Sequence, residues 1–172
     1  FACDENFIGA LPKFPIHKDA FFVFDYRKID FAELVELSKK YNRVDVLGWS
    51  FGVWAAANFG GQISNLGRSV AMCGSLLPSS DAFGIGEDIF TGTLVNFNDA
   101  VKEKFYRRVC LNKESEKFLC SRSAAELKEE LESFDREFNS DANSEIKNFK
   151  FDKAYAGIKD KIFPIKNLRN AF

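Results

Sequence analysis

VDVLGWSFGVWAAANF (44–59) is the stretch that decides the fold. Residues 44–49 form a short apolar run rich in valine, the composition of a buried strand. Residues 53–59 are rich in alanine and favour a helix, until Gly60 and Gly61 stop it. Between the two lies Gly48-Trp49-Ser50-Phe51-Gly52, a G-x-S-x-G pentapeptide. The bare pattern is weak, but a strand before it and a helix after it give the setting that a nucleophile elbow requires. The expected reason for the glycines is steric: Ser50 would sit in a strained turn, and side chains at 48 and 52 would collide where strand and helix approach. Ser50 would then project from the carboxyl end of a sheet, with the Phe51 N–H at a helix N-terminus where an oxyanion could form. The plainer reading is a tight strand-to-helix turn with an N-capping serine.

The flanks extend the pattern in both directions. Residues 1–18, broken by Pro12 and Pro15, read as loop, and AFFVFDY (20–26) reads as a buried parallel strand. FAELVELSKKY (31–41) carries apolar residues at 31, 34, 35 and 37 and predicts an amphipathic helix. SVAMCGSLL (69–77) reads as a third strand closing at Pro78. Strand, helix, strand, helix, strand at short spacing predicts an α/β fold with a parallel sheet and right-handed crossovers. After Pro78 the composition shifts, and AAELKEELESFDREF within 99–138 predicts two or three inserted helices. A strand at 154–158 and a turn at 159–164 follow. The expectation is one domain over 1–172, with 79–150 as a lid or insertion; ordinary amphipathic helices packed on the sheet are the equal alternative.

Composition narrows the function. Lys plus Arg number 24 against 25 Asp plus Glu, so the basic excess of a general nucleic-acid binder is missing. No apolar run approaches the ~20 residues of a membrane-spanning helix. The chain opens on Phe1 rather than Met and FACDENF does not resemble a signal peptide, so upstream residues are expected to have been removed or not recorded. Cys3, Cys73, Cys110 and Cys120 form no C-x-x-C pair and, with a single histidine, no zinc pattern. They fit thiols in a reducing, cytoplasmic setting better than a disulfide framework. No metal and no cofactor are expected.

A serine nucleophile needs an acid and a base, which in α/β-hydrolases follow in the order Ser, Asp or Glu, His. Asp160, in the turn after the late strand, is the candidate acid, with a solvated turn aspartate as the equal alternative; Asp81 and Asp152 are weaker rivals. No residue after Asp160 is histidine. His17, the one histidine, lies upstream of Ser50 in a polar, proline-bounded loop and reads as a surface residue rather than the base.

Several stretches together resemble the pimeloyl-ACP methyl ester esterases of the BioG type, α/β-hydrolases of biotin synthesis. They are FDYRKIDF (24–31), VLGWSFGVWAA (46–56), GSLLPSSDAFGIGEDIFTGTL (74–94), KFYRRVC (104–110) and DKIFPIKNLRNAF (160–172). The resemblance implies a serine carboxylesterase with Ser50 as nucleophile, Asp160 as triad acid and the Phe51 N–H as one oxyanion donor. It also implies a partner, an acyl carrier protein bearing a methyl-ester acyl chain. Such a carrier is acidic, and VKEKFYRR (101–108) offers Lys102, Lys104, Arg107 and Arg108 against Glu103. A docking surface built on Lys104, Arg107 and Arg108 and a merely solvated helix face are equal readings. In the family an opening strand and a Gly-rich oxyanion turn precede the position of Phe1, and the catalytic histidine follows the segment matched by 167–172. The chain therefore reads as truncated at both ends, with an inactive relative as the other reading. A general short-chain esterase or thioesterase, and a non-catalytic acyl-carrier-binding module, are the alternative functions.

Overall fold

In the computed structural model, which describes residues 1–6, 19–110, 119–138 and 148–172, Asp30 heads α1 (Phe31–Ser38), its carboxylate accepting from the Glu33 N–H at 3.1 Å. One of the donors that a helix start leaves open is thereby satisfied. The chain continues through β1 (Val44–Trp49), turns at Ser50 and Phe51 into α2 (Gly52–Gly60), and returns as β2 (Leu66–Met72). β1 and β2 pair in parallel, Val46 opposite Ser69 and Trp49 opposite Met72. β3 (Lys153–Tyr155) adds in parallel to β2 with Ala71 opposite Ala154, so the sheet order is β1-β2-β3. Three parallel strands end at one edge, and Ser50, Cys73 and the residues after Tyr155 follow those ends directly.

Between β2 and β3 run α3 (Glu87–Val95), α4 (Asp99–Val109) and α5 (Ala124–Phe138); α6 (Ile165–Ala171) ends the chain. Each start has a local cause. The Asn98 side chain accepts from the Val101 N–H at the head of α4. Ser123 and Glu126 form a reciprocal capping box at the head of α5. None of the helices of the described residues is long and apolar enough to cross a membrane.

Four expectations need correction. Residues 20–26 form no strand: the segment is irregular and ends in a 3-10 turn at Tyr26–Lys28. Asp25 accepts from the Arg27 N–H, and the Tyr26 N–H, which a sheet ladder would need, is taken by Glu130. The third strand is Leu66–Met72 rather than 69–77, because Cys73 takes φ 48° and turns the chain. The late strand is Lys153–Tyr155 rather than 154–158. β1 lies at the edge of the described sheet and is not the buried strand expected: only Gly48 in it is buried, and Leu47 is exposed. Residues 165–171 are helical, with Pro164 immediately before them.

Contacts divide the chain into two units, residues 1–29 with 93–134 and residues 30–92 with 135–172. In the first, fully buried Glu130 accepts from the Ala2 and Tyr26 N–H groups, each at 3.3 Å, and from Arg122 at 3.0 Å. A buried carboxylate costs several kcal/mol unless paired in this way. In the second, Phe51, Trp54 and Phe163 are almost wholly buried, and the Phe51 ring meets Phe90, Phe138 and Phe163 with centroids 5.7–6.1 Å apart. Such tilted and edge-on pairs match positive ring edges to negative faces.

β1 and α2 approach so closely that a Cβ on Gly48 would lie 2.5 Å from the Gly52 carbonyl oxygen and 2.6 Å from Val53 Cα. Both are backbone atoms, which cannot step aside. Gly92, inside α3, has nothing within 4 Å of the same position. Gly48→Ala is accordingly expected to lower stability by about 1–3 kcal/mol, and Gly92→Ala to raise it by roughly 0.5–1 kcal/mol, both read by chemical denaturation.

Candidate active site

Ser50 has φ 56°, in the left-handed region that costs a residue with a Cβ about 1–2 kcal/mol. The turn is pinned from both sides. The Ser50 N–H donates to the Met72 carbonyl at 2.9 Å, and the Ser50 carbonyl accepts from the Val53 N–H at 3.0 Å. A Cβ on Gly74 would stand 2.0 Å from the Ser50 carbonyl oxygen, so the backbone after β2 lies directly against the backbone after β1. The capping alternative does not hold, since the cap position of α2 is Phe51 and no side chain caps it. Among the described residues the Ser50 hydroxyl makes no side-chain hydrogen bond. Phe51 has helical dihedrals and a 4% exposed ring, which anchors the first turn of α2 in the aromatic cluster.

Asp160 is half-buried beyond the end of β3. Its Oδ1 accepts from the Ile162 N–H at 2.8 Å and the Phe163 N–H at 2.9 Å, so a turn holds the carboxylate rather than solvent alone. Its two rivals are committed elsewhere. Asp152 precedes β3, at the opposite end of the strand, and accepts from the Ser69 N–H at 2.7 Å. Asp81 accepts from the Glu87 N–H at the start of α3. No hydrogen bond joins Ser50 to Asp160 among the described residues. His17 lies outside the described residues.

Cys73 was not singled out by the sequence, yet it stands between these two positions. Its N–H donates to the Tyr155 carbonyl at 2.8 Å, and its half-buried thiol lies beside Gly157, which Asp160 also neighbours. Burial first, and then the Asp160 charge, push the thiol up from its ordinary value, against the opposing Gly157 N–H.

Lys104, Arg107 and Arg108 are exposed on α4. Arg107 pairs with Glu103 at 3.0 Å, one turn away. Lys102 turns away from the set, donating to the Arg122 carbonyl and lying 5.6 Å above the Tyr106 ring. Of the four basic groups in the sequence, Lys104 and Arg108 are thus the two whose side chains make neither an ion pair nor a hydrogen bond among the described residues. No group of three His, Cys, Asp or Glu side chains among the described residues could hold a metal ion.

Fold and site together define an α/β protein whose parallel sheet presents a strained serine, a thiol and a carboxylate along its carboxyl edge. The chain belongs to the BioG family: the family model described as pimeloyl-ACP methyl esterase BioG matches residues 10–172. It is 38% identical over 164 residues to malonyl-[acyl-carrier protein] O-methyltransferase of Bacteroides fragilis, covering 92% of this chain and 32% of that protein. It is 31% identical over 156 residues to a Haemophilus influenzae protein named only as uncharacterized, covering 89% of this chain and 70% of that one. The crystal structure of BioG from Haemophilus influenzae is similar with a TM-score of 0.68 and 31% identity, over 77% of this chain and 62% of that one. The chain therefore spans about a third of its Bacteroides relative.

The Asp160 turn can be separated from its charge. Asp160→Asn keeps an oxygen for the two backbone donors and should leave the melting temperature nearly unchanged, whereas Asp160→Ala strands both and should cost about 1–3 kcal/mol.

Proposed function

We propose that this chain is the core of a serine carboxylesterase with an α/β-hydrolase-like fold, in which 79–150 forms the lid region, and that it removes a methyl ester from an acyl chain carried by acyl carrier protein in biotin synthesis. The observation that carries the reading is the φ of 56° at Ser50, on a strand-to-helix turn that has no structural need for a hydroxyl. Strain stored in a serine backbone is a reason to look for chemistry at its side chain. Membership of the BioG family supplies the substrate class.

In this reading Ser50 Oγ attacks the ester carbonyl, and the oxyanion develops near the first turn of α2, where the Phe51 N–H and the helix dipole favour negative charge. The tetrahedral adduct collapses with loss of methanol, and water then hydrolyses the acyl-enzyme. Asp160 orients the base and stabilises its cationic form. The base in this reading is a histidine, and none lies among the described residues. Lys104 and Arg108, with Arg107 beside them, receive the acidic carrier protein. The methyltransferase name of the Bacteroides relative belongs to a protein about three times as long and refers to a malonyl chain, whereas the family model refers to a pimeloyl one; both chains are carried by acyl carrier protein.

Two measurements on the full-length polypeptide test this. Release of p-nitrophenol from short acyl esters should fall by a factor of at least about 1,000 in Ser50→Ala, and retained hydrolysis removes Ser50 as nucleophile. Arg108→Glu should weaken acyl carrier protein binding about tenfold and flatten its dependence on salt. Unchanged binding would remove α4 as the docking face.

A further inference from the structure

The turn that leads into Asp160 presents a residue that folding does not explain. Beyond β3 the Gly157 carbonyl accepts from the Asp160 N–H at 3.1 Å, which puts Ile158 and Lys159 at the two corners of a tight turn. Such corners favour Gly, Pro, Asn, Asp and Ser, each for a conformational or hydrogen-bonding reason that isoleucine lacks. Ile158 is there nonetheless, and at 85% it is the most exposed large apolar side chain among the described residues. The folded chain gains almost nothing from its apolar surface, since so little of it is buried. Lys159 and Lys161, on either side of Asp160, are also exposed, and neither makes an ion pair or a hydrogen bond among the described residues. The turn itself is firmly held. Asp160 Oδ1 accepts from the Ile162 and Phe163 N–H groups, and the Phe163 ring is buried against Phe51. An apolar tip between two ammonium groups is thus fixed in advance, with little ordering entropy left to lose on contact.

We infer that residues 157–161 form a docking knob for the acyl carrier protein, with Ile158 as its apolar anchor and Lys159 and Lys161 as its charged rim, an inference resting on the esterase reading above. An apolar centre ringed by polar contacts is the anatomy of a specific interface. Position selects the occupant. The turn leaves the same carboxyl edge of the sheet on which Ser50 stands, so a carrier delivering its chain to Ser50 has to approach over this edge. Charge selects it as well. Two unpaired lysines complement an acidic carrier, whereas a second copy of this chain, docked by the same patch, would set like charges against each other.

Aspartate suits a turn corner better than isoleucine, so one substitution separates stability from docking. In the full-length polypeptide, Ile158→Asp should melt at the same temperature or higher, yet bind acyl carrier protein about tenfold more weakly when titrated at low salt. Lys159→Glu combined with Lys161→Glu should weaken binding by a similar factor and flatten its dependence on salt. Wild-type affinity in Ile158→Asp, a loss of affinity accompanied by a lower melting temperature, or a self-associated wild-type polypeptide that Ile158→Asp turns into a monomer would overturn it. Arg108→Glu, titrated alongside, separates the two readings. A wild-type polypeptide that does not bind the carrier removes the carrier as partner and this inference with it; binding weakened in Arg108→Glu but intact in Ile158→Asp removes this inference alone.

Discussion

The contact on which the rest depends is backbone against backbone at Gly48, where β1 and α2 come too close for any side chain. That approach forces the chain to reverse within two residues, and Ser50 absorbs the reversal by taking φ 56°. The aromatic cluster makes the reversal affordable in free energy: Phe51, the cap of α2, and Trp54 in its first turn are buried against rings from α3, α5 and the Asp160 turn. A buried aromatic side chain contributes about 3–5 kcal/mol, against the one or two that a left-handed serine costs. Packing wins, and the serine is held rather than tolerated.

Sheet order does the remaining work. Because β1, β2 and β3 are adjacent and parallel, three residues far apart in the chain arrive at one edge: Ser50 after β1, Cys73 after β2, Asp160 after β3. The N–H of the second is held by the Tyr155 carbonyl at the end of β3, and the residue beside it rests on the first. The edge is therefore one connected piece of backbone and side chain.

What could be read from the sequence was what local pattern controls. G-x-S-x-G encodes its own turn, since glycine reports directly on a close approach, and Asp160 announced itself by a turn that its own carboxylate closes. The place of Cys73 at the same edge could not be found that way, because it comes from β2–β3 pairing and leaves no mark on its neighbours in the chain. Residues 20–26 have the composition of a strand. Their fate was set by Glu130, 104 residues beyond Tyr26, which takes a donor that the ladder would have used. The basic stretch at 101–108 likewise looked like four equivalent charges until folding committed Lys102 and paired Arg107.

The central claim is that the strain at Ser50 serves a nucleophile. The most direct test is to treat the full-length polypeptide with a fluorophosphonate and locate the adduct by peptide mass spectrometry. The account predicts a single phosphonylated residue, Ser50, formed in the native protein and lost on prior denaturation. An adduct elsewhere, or a native protein left unmodified, would contradict it.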